Sequence, residues 1–361
     1  MPNVVFRADA SVHIGTGHIM RCLTLADALR HRGLESAFIC RDHTGHLMGI
    51  IREQGHAVYS LQADERHLGL SGHSAWLGAT QEMDAKVCRP ILERLRPQWL
   101  VVDHYALDEC WEGLLHDCYN HLLVIDDLAD RRHQCSMLLD PNLGRVEGDY
   151  LPLTPSRCTR LLGPRYALLR PEFSVLREYS ALRRRQATLR SLLVTMGGVD
   201  EKNVTCRVLK ALEGAPLPVN CRITVIMGTT SPHLAEVGRL ARVMRVPTEV
   251  LVGVRDMARC MAESDLCIGA AGGTAWERCC LGLPTLLLVL AENQIPGAAA
   301  LVKAGAAEIL ELDRIKLDLP LKISEIQRET TRLECMSGAG LAVTSGTGAW
   351  DVAALMTDGV Y

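Results

Sequence analysis

The sequence predicts an α/β protein of two doubly wound domains, and three observations predict it. Short apolar runs alternate with helix-spaced segments along most of the chain, the pattern of a parallel sheet covered on both faces. The alternation lapses near the middle, where Pro152, Pro155, Gly163, Pro164 and Pro171 break the periodicity, and then restarts. A chain of 361 residues is long enough for two domains of ordinary size. The expected boundaries are 1–160 and 161–340, with 341–361 as a last segment that returns to the first domain.

In the first half, strands are expected at 4–6, 37–40, 57–59, 99–103, 121–126 and 137–140. The helix over 19–31 follows from the spacing of Ile19, Cys22, Leu23, Leu25, Ala26 and Leu29, with Gly33 as its stop. Further helices are read at 47–54, 80–95 and 109–119, and the Gly-, His- and Ser-rich stretch 64–78 reads as a loop. The second half carries strands at 192–196, 222–227, 249–251, 265–268 and 284–289. Its helices are read at 203–212, 234–243, 256–263, 274–281, 293–304 and 319–330, and 349–356 reads as a closing helix.

Composition narrows the function classes. Hydrophobic content of 48% and charged content of 22% describe a folded chain, well away from disorder. A net charge of −3 without a basic block gives no electrostatic footprint for nucleic acid or an anionic membrane. The 14 cysteines are scattered, with no Cys-x-x-Cys pair, so reduced thiols are expected rather than a zinc site or a disulfide framework. Met1-Pro2-Asn3 runs straight into an apolar strand too short for a signal core, and 283–290 is too short to cross a bilayer. The expectation is a cytoplasmic monomer with no metal and no cofactor.

Ligands of doubly wound sheets bind at the carboxyl ends of the strands. Gly15 and Gly17, Asp103, Gly197 and Gly198, Gly228, Gly272 and Gly273, and Glu292-Asn293 all fall at such ends. In 268–277 an apolar strand empties through glycines into a helix, which aims bare N–H groups at one spot. A phosphate loop and a plain tight turn both satisfy that pattern. Glu277, one turn further on, is placed to accept hydrogen bonds from a ribose. Gly15-Thr16-Gly17-His18 lacks the third glycine and downstream acid of a dinucleotide fingerprint. Its distinguishing group is an imidazole on the first helical turn, where the helix N-terminus favours the neutral ring that a general base needs. A cap histidine is the competing reading. Asp103 is read as orienting His18 and Tyr105 as meeting a sugar substituent, against a helix-cap role for this stretch. Asp126-Asp127, with no partner motif, reads as capping or solvated carboxylates, and Arg165 and Arg170 as phosphate ligands or surface ion pairs.

The segment from Val5-Phe6-Arg7-Ala8-Asp9 through Ile14-Gly15-Thr16-Gly17-His18-Ile19-Met20-Arg21-Cys22-Leu23 resembles the opening of the UDP-2,4-diacetamido-2,4,6-trideoxy-β-L-altropyranose hydrolases. These are enzymes of pseudaminic acid biosynthesis within the MurG-like glycosyltransferase B superfamily. Val102-Asp103-His104-Tyr105, the run Arg165 to Phe173 and Met196-Gly197-Gly198-Val199-Asp200 are similar to that family's inner motifs. Gly272-Gly273-Thr274-Ala275-Trp276-Glu277-Arg278 and Glu292-Asn293-Gln294 are similar to its C-terminal ones. The likeness runs in register from residue 4 to about 294.

It implies a glycosyltransferase B fold, two Rossmann-like domains facing a cleft, with UDP held by the second. It implies hydrolysis at the anomeric carbon with inversion. His18 matches the family's catalytic histidine, and Tyr105 and Asn293 its substrate-site tyrosine and asparagine. Glu277 matches its ribose-binding acid. Gly197, Gly198, Gly272, Gly273 and Thr274 are then expected to hold the diphosphate, and backbone near Val254 and Met257 the uracil edge. Gly15, Gly17, Gly228, Arg165 and Gln294 complete the expected site. Gly273 departs from the family, where serine is expected, and puts one hydroxyl contact to phosphate in doubt. The rival readings are a MurG-like transferase with a hydroxyl acceptor, a UDP-sugar epimerase and a binding module without catalysis.

Overall fold

The computed structural model describes residues 2–63, 73–185, 188–329 and 331–358. The chain forms two compact units, Met1–Leu168 with Thr347–Tyr361, and Leu169–Gly346.

The first unit opens with β1 (Val4–Ala8), α1 (Gly17–His31), β2 (Ser36–Arg41), α2 (Met48–Glu53) and β3 (Ala57–Leu61). There follow α3 (Ser74–Leu77), α4 (Gln81–Leu95), β4 (Trp99–Asp103), α5 (Glu109–Leu115), β5 (His121–Ile125), β6 (Met137–Asp140), α6 (Glu147–Tyr150) and β7 (Thr159–Leu162). The seven strands form one parallel sheet in the order β3-β2-β1-β4-β5-β6-β7. All five residues of β1 are buried because helices cover both faces. On one face Phe6, Phe38 and Val101 pack against Cys22, Leu25 and Leu29 of α1. On the other, Val5, Ile39 and Leu100 pack against Cys88 and Leu92 of α4 and Trp111 of α5. Alternate strand residues thus serve opposite helical layers. The last helix, α15 (Gly348–Asp358), lies in this unit: Val352, Ala353 and Met356 join the α1 face, and Trp99 Nε1 donates to the Met356 carbonyl at 3.0 Å.

The second unit runs α7 (Pro171–Arg183), β8 (Ser191–Thr195), α8 (Val204–Leu212), β9 (Arg222–Met227), α9 (Leu234–Val243), β10 (Thr248–Val252) and α10 (Met257–Ala262). It continues with β11 (Leu266–Ala270), α11 (Thr274–Cys280), β12 (Thr285–Leu288), α12 (Ile295–Lys303), β13 (Ala307–Ile309), α13 (Ile315–Arg328) and α14 (Arg332–Val343). Its six-stranded parallel sheet has the order β10-β9-β8-β11-β12-β13. Val208, Leu209 and Leu212 of α8 and Leu319 and Ile323 of α13 close one face over Val194, Val225, Ile268 and Leu286.

Several elements differ from their sequence reading for physical reasons. Pro171 reads as a breaker but occupies the first turn of α7, where its missing N–H costs nothing. The helix expected from 319 begins four residues earlier, as α13 starts at Ile315 and carries Pro320 inside it. Gly338 and Gly340 disguise α14, which packs on the turn after α11 with the Cβ position of Gly340 at ordinary contact distance, 3.7 Å, from the Cys279 and Gly282 Cα atoms. Four-residue β7 and three-residue β13 are too short for the period of a strand to register. Of the expected loop at 64–78, residues 64–72 lie outside the described residues and 74–77 form α3; residue 330, the expected end of one helix, also lies outside them.

Each sheet reverses its winding once, between β1 and β4 and between β8 and β11. Such reversals leave a crevice at the strands' carboxyl ends. Most of the expected site residues lie at or beside these strand ends; Arg165 does not.

Candidate functional site

In the first unit, Ala8 at the end of β1 is paired in register with Asp103 at the end of β4. The chain leaves β1 through a tight loop in which Gly15 N donates to the Ser11 carbonyl at 2.9 Å and Ile14 N to Ser11 Oγ at 2.9 Å. Gly15 takes φ +80°, a conformation that favours glycine, and delivers the chain into α1. His18 is the second residue of that helix, and its Nδ1 lies 2.6 Å from Asp103 Oδ1. A carboxylate only accepts, so Nδ1 carries the hydrogen, and in the tautomer this selects the lone pair lies on Nε2.

Arg21, one turn along α1, grips the same carboxylate with Nε on Oδ2 and Nη2 on Oδ1, both at 2.6 Å, and reaches Asp127 Oδ2 with Nη1 at 3.0 Å. Burial alone would raise Asp103, but Arg21 and the His18 ring outweigh it and hold the carboxyl well below the usual range. Asp103 therefore stays ionised and orients the ring without taking its proton. Asp127, read from the sequence as a cap or solvated acid, is an ion-pair partner of Arg21, and its carboxyl too is held low against the effect of burial. Sequence reasoning missed Arg21; its i, i+3 spacing from His18 was the available signal.

Beneath this dyad lies a buried ionic frame. Arg7 donates Nε and Nη2 to the two oxygens of Asp84 at 3.1 and 2.8 Å, and Trp111 Nε1 donates to Asp84 Oδ1 at 3.0 Å. Asp9 Oδ1 accepts from the Arg41 backbone N–H at 2.6 Å, which joins the ends of β1 and β2. Above the dyad, the Tyr105 ring stands edge-on to His18 with centroids 4.8 Å apart. Trp76 stacks on Tyr105 at 5.5 Å, and His73 lies 4.8 Å from Trp76. Burial, reinforced by the charge of Asp127, pushes the Tyr105 phenol up, so it remains a neutral hydroxyl. Trp76 entered no sequence expectation and His73 reads from the sequence as a bystander, because both fall where the chain reads as loop.

In the second unit, three glycine turns lie at the strand ends. Gly197 takes φ +89°, and a Cβ on Gly228 would stand 1.9 Å from the Gly198 carbonyl oxygen, so the turns after β8 and β9 touch backbone to backbone. Gly273, in contrast, has helical φ −54° and open space where a Cβ would go. The Gln294 side chain accepts from Leu290 N at 3.0 Å, and its Nε2 comes within 3.8 Å of the Cβ position of Gly272; Asn293 is exposed beside it.

Glu277 is 17% exposed, and burial pushes its carboxyl up to about 7, with Arg170 and Arg278 opposing the rise and Glu172 adding to it. Arg170 Nη2 lies 3.9 Å from Glu277 Oε1, while its Nη1 donates to the Arg255 carbonyl at 3.5 Å. Arg170 thus ties the expected ribose acid to the segment of Val254 and Met257. Arg165 belongs to neither gathering: it lies in the first unit, 73% exposed, 3.7 Å from Asp351 and over the Tyr166 ring. Among the described residues no group of three or more His, Cys, Asp or Glu side chains is placed to hold a metal ion, and no helix is long and apolar enough to cross a membrane.

Comparison with known proteins adds the following. Residues 192–346 match the glycosyltransferase family 28 C-terminal domain. The UDP-2,4-diacetamido-2,4,6-trideoxy-beta-L-altropyranose hydrolase of Campylobacter jejuni is 25% identical over 303 residues, 84% of this chain and 97% of that protein. The spore coat polysaccharide biosynthesis protein SpsG of Bacillus subtilis is 31% identical over 199 residues, 54% of this chain and 57% of that protein, so the match spans just over half of that relative. Among solved structures, MurG of Acinetobacter baumannii superposes with a TM-score of 0.71 at 15% identity, covering 99% of this chain and 100% of that one. The fold is that of the glycosyltransferase B proteins, and the resemblance noted in the motifs extends over most of the chain.

Proposed function

We propose that this chain is a UDP-sugar enzyme, and specifically a hydrolase that releases UDP from a UDP-2,4-diacetamido-2,4,6-trideoxy-β-L-altropyranose by inverting attack of water at the anomeric carbon. The observation that carries the proposal is the His18–Asp103 pair, whose hydrogen bond leaves Nε2 as a proton acceptor at a sheet reversal. The 25% identity to the Campylobacter hydrolase over 84% of the chain supports the same reaction.

In this reaction the water oxygen bonds to the anomeric carbon as the bond to UDP breaks on the opposite face. The water proton passes to His18 Nε2, while Asp103 stabilises the imidazolium that forms. The leaving diphosphate takes the bonding electron pair. Backbone N–H groups of the Gly272–Gly273 turn and the Thr274 hydroxyl meet its charge, Glu277 accepts from the ribose, and the backbone at Val254 and Met257 meets the uracil. Tyr105 and Asn293 are assigned to the sugar, and the substrate is taken up without a cofactor.

A second reading is a transferase in which a hydroxyl acceptor replaces water, and the match to the family 28 C-terminal domain favours it. Proton NMR of the protein with the UDP-linked diacetamido sugar and no acceptor separates the two. Free sugar appearing first as the inverted anomer supports hydrolysis. No UDP release until an acceptor is added supports transfer, and deuterium entering C2 from heavy water would mark an epimerase.

A further inference from the structure

The second unit buries a cation without an anion. Arg278, in α11, is 1% exposed; its Nη2 donates to the Ala270 carbonyl at 2.7 Å and its Nη1 to Thr274 Oγ1 at 3.1 Å, while Nε has no hydrogen-bond partner. Among the described residues it forms no ion pair with a carboxylate. A lone buried guanidinium is a destabilising arrangement, which three other buried arginines avoid by pairing with carboxylates. Arg7 and Arg41 share Asp84, and Arg21 grips Asp103. Arg184, which also lacks a carboxylate, has its Nη atoms surrounded by carbonyls of Ser180, Leu281, Met261 and Ser264. Among the described residues Arg278 has two oxygen acceptors and, beside them, the weakly accepting Cys267 thiol.

The surrounding residues make room for it. A Cβ on Gly269, within β11, would stand 2.8 Å from Arg278 Nη1, so the glycine opens the space the guanidinium fills. Thr274 lies four residues earlier on the same helical face, half-buried behind the Gly272–Gly273 turn. Because the Thr274 oxygen accepts from Arg278, its own hydrogen cannot point at the guanidinium and is free for an acceptor on the open side.

We propose that Arg278 is a positioning residue for a ligand diphosphate: it supplies the counter-charge beneath the glycine turn and orients the Thr274 hydroxyl to donate to a phosphate oxygen. This rests on the second unit holding the UDP moiety. It also explains how Gly273 can stand where a serine is expected, since the remaining hydroxyl is held in one orientation.

The test measures UDP by calorimetry and uridine by NMR titration against the full chain and the variants R278M, R278K, T274V and T274V/R278M. R278M is expected to weaken UDP at least tenfold and uridine less than twofold, with R278K recovering part of the loss. T274V should show the same phosphate-specific loss while leaving the buried cation in place, so it serves where R278M does not fold. The double variant should lose less than the product of the two single losses. Equal weakening of UDP and uridine, or fully multiplicative losses, would overturn the role of Arg278. Failure of the unmodified chain to bind either compound would instead overturn the nucleotide reading on which it rests.

Discussion

Replacing Glu277 by glutamine separates what the carboxylate contributes to binding from what it costs in folding. Burial holds this carboxyl at about 7, against an ordinary value of 4.5. Between those values the folded protein keeps a proton that the unfolded chain has released. Stability therefore falls as pH rises through this window, and the full penalty is present above pH 7. The gap corresponds to about 3 kcal/mol. E277Q keeps the shape of the neutral acid, so it should match the parent near pH 4.5 and exceed its stability by up to about 3 kcal/mol at pH 8. Binding moves the other way, because ribose hydroxyls donate best to the ionised form. UDP-N-acetylglucosamine suits the assay, since its diphosphate diester does not titrate near neutrality. Its affinity should fall about tenfold per pH unit below 7, and E277Q should lack that slope. Urea unfolding at pH 5 and pH 8 reads the first effect and calorimetry from pH 5.5 to 8 the second. A stability difference that does not change with pH, together with a flat affinity profile in the parent, would refute both the buried carboxyl and its ribose role.

Three further outcomes follow from the site geometry. H18Q should lower turnover by about 10²–10⁴-fold while UDP affinity holds within about twofold; near-normal UDP release by the variant would remove His18 from the mechanism. D103N puts an amide donor where His18 and Arg21 both need an acceptor, so its loss in turnover should resemble that of H18Q, and the double variant should be little worse than either single one. A multiplicative double loss would mean that Asp103 does not act through the ring. G228A forces a Cβ to within 1.9 Å of the Gly198 carbonyl and should destabilise the second unit severely, whereas G273S enters open space at helical φ and should stay within about 0.5 kcal/mol of the parent in urea unfolding. Similar midpoints for the two would show that the glycine turns do not touch.

The alternating architecture was legible because both sheets are parallel and buried on each face, so every central strand is a compact apolar run such as Val4-Val5-Phe6 or Leu192-Leu193-Val194. The gathering of Gly15, His18 and Asp103 at one reversal, and of Gly197, Gly228 and Gly272 at the other, was legible for the same reason: strand ends can be counted, and doubly wound sheets bind there. The side chains that tune those groups were hidden. Arg21 and Arg278 sit among apolar helix residues, and only the tertiary contacts reveal that one grips Asp103 and that the other, among the described residues, pairs with no carboxylate. Trp76 and His73 were out of reach because no period marks α3, a four-residue helix.

The two reversals differ in electrostatic character, and the difference bears on their roles. At the first, each buried arginine is matched: Arg21 by Asp103 and Asp127, Arg7 by Asp84 and Asp9. A neutralised, hydrogen-bonded frame of this kind adds little field for binding an anion, but it fixes the ring of His18 and the carboxylate behind it in one geometry. At the second, Arg278 forms no ion pair among the described residues, and Glu277, whose charge it favours, has its carboxyl pushed up to about 7 by burial. A deficit of negative charge there is a cost to the empty protein that an incoming diphosphate would remove. This charge balance is in keeping with the proposed function, in which proton acceptance falls to the first unit and anion reception to the second. Nucleotide-dependent stabilisation should accordingly reside in the second unit, and saturating UDP should raise the protection of amide hydrogens around α11 in exchange experiments while leaving those of α1 unchanged. Protection of α1 without α11 would reverse the assignment.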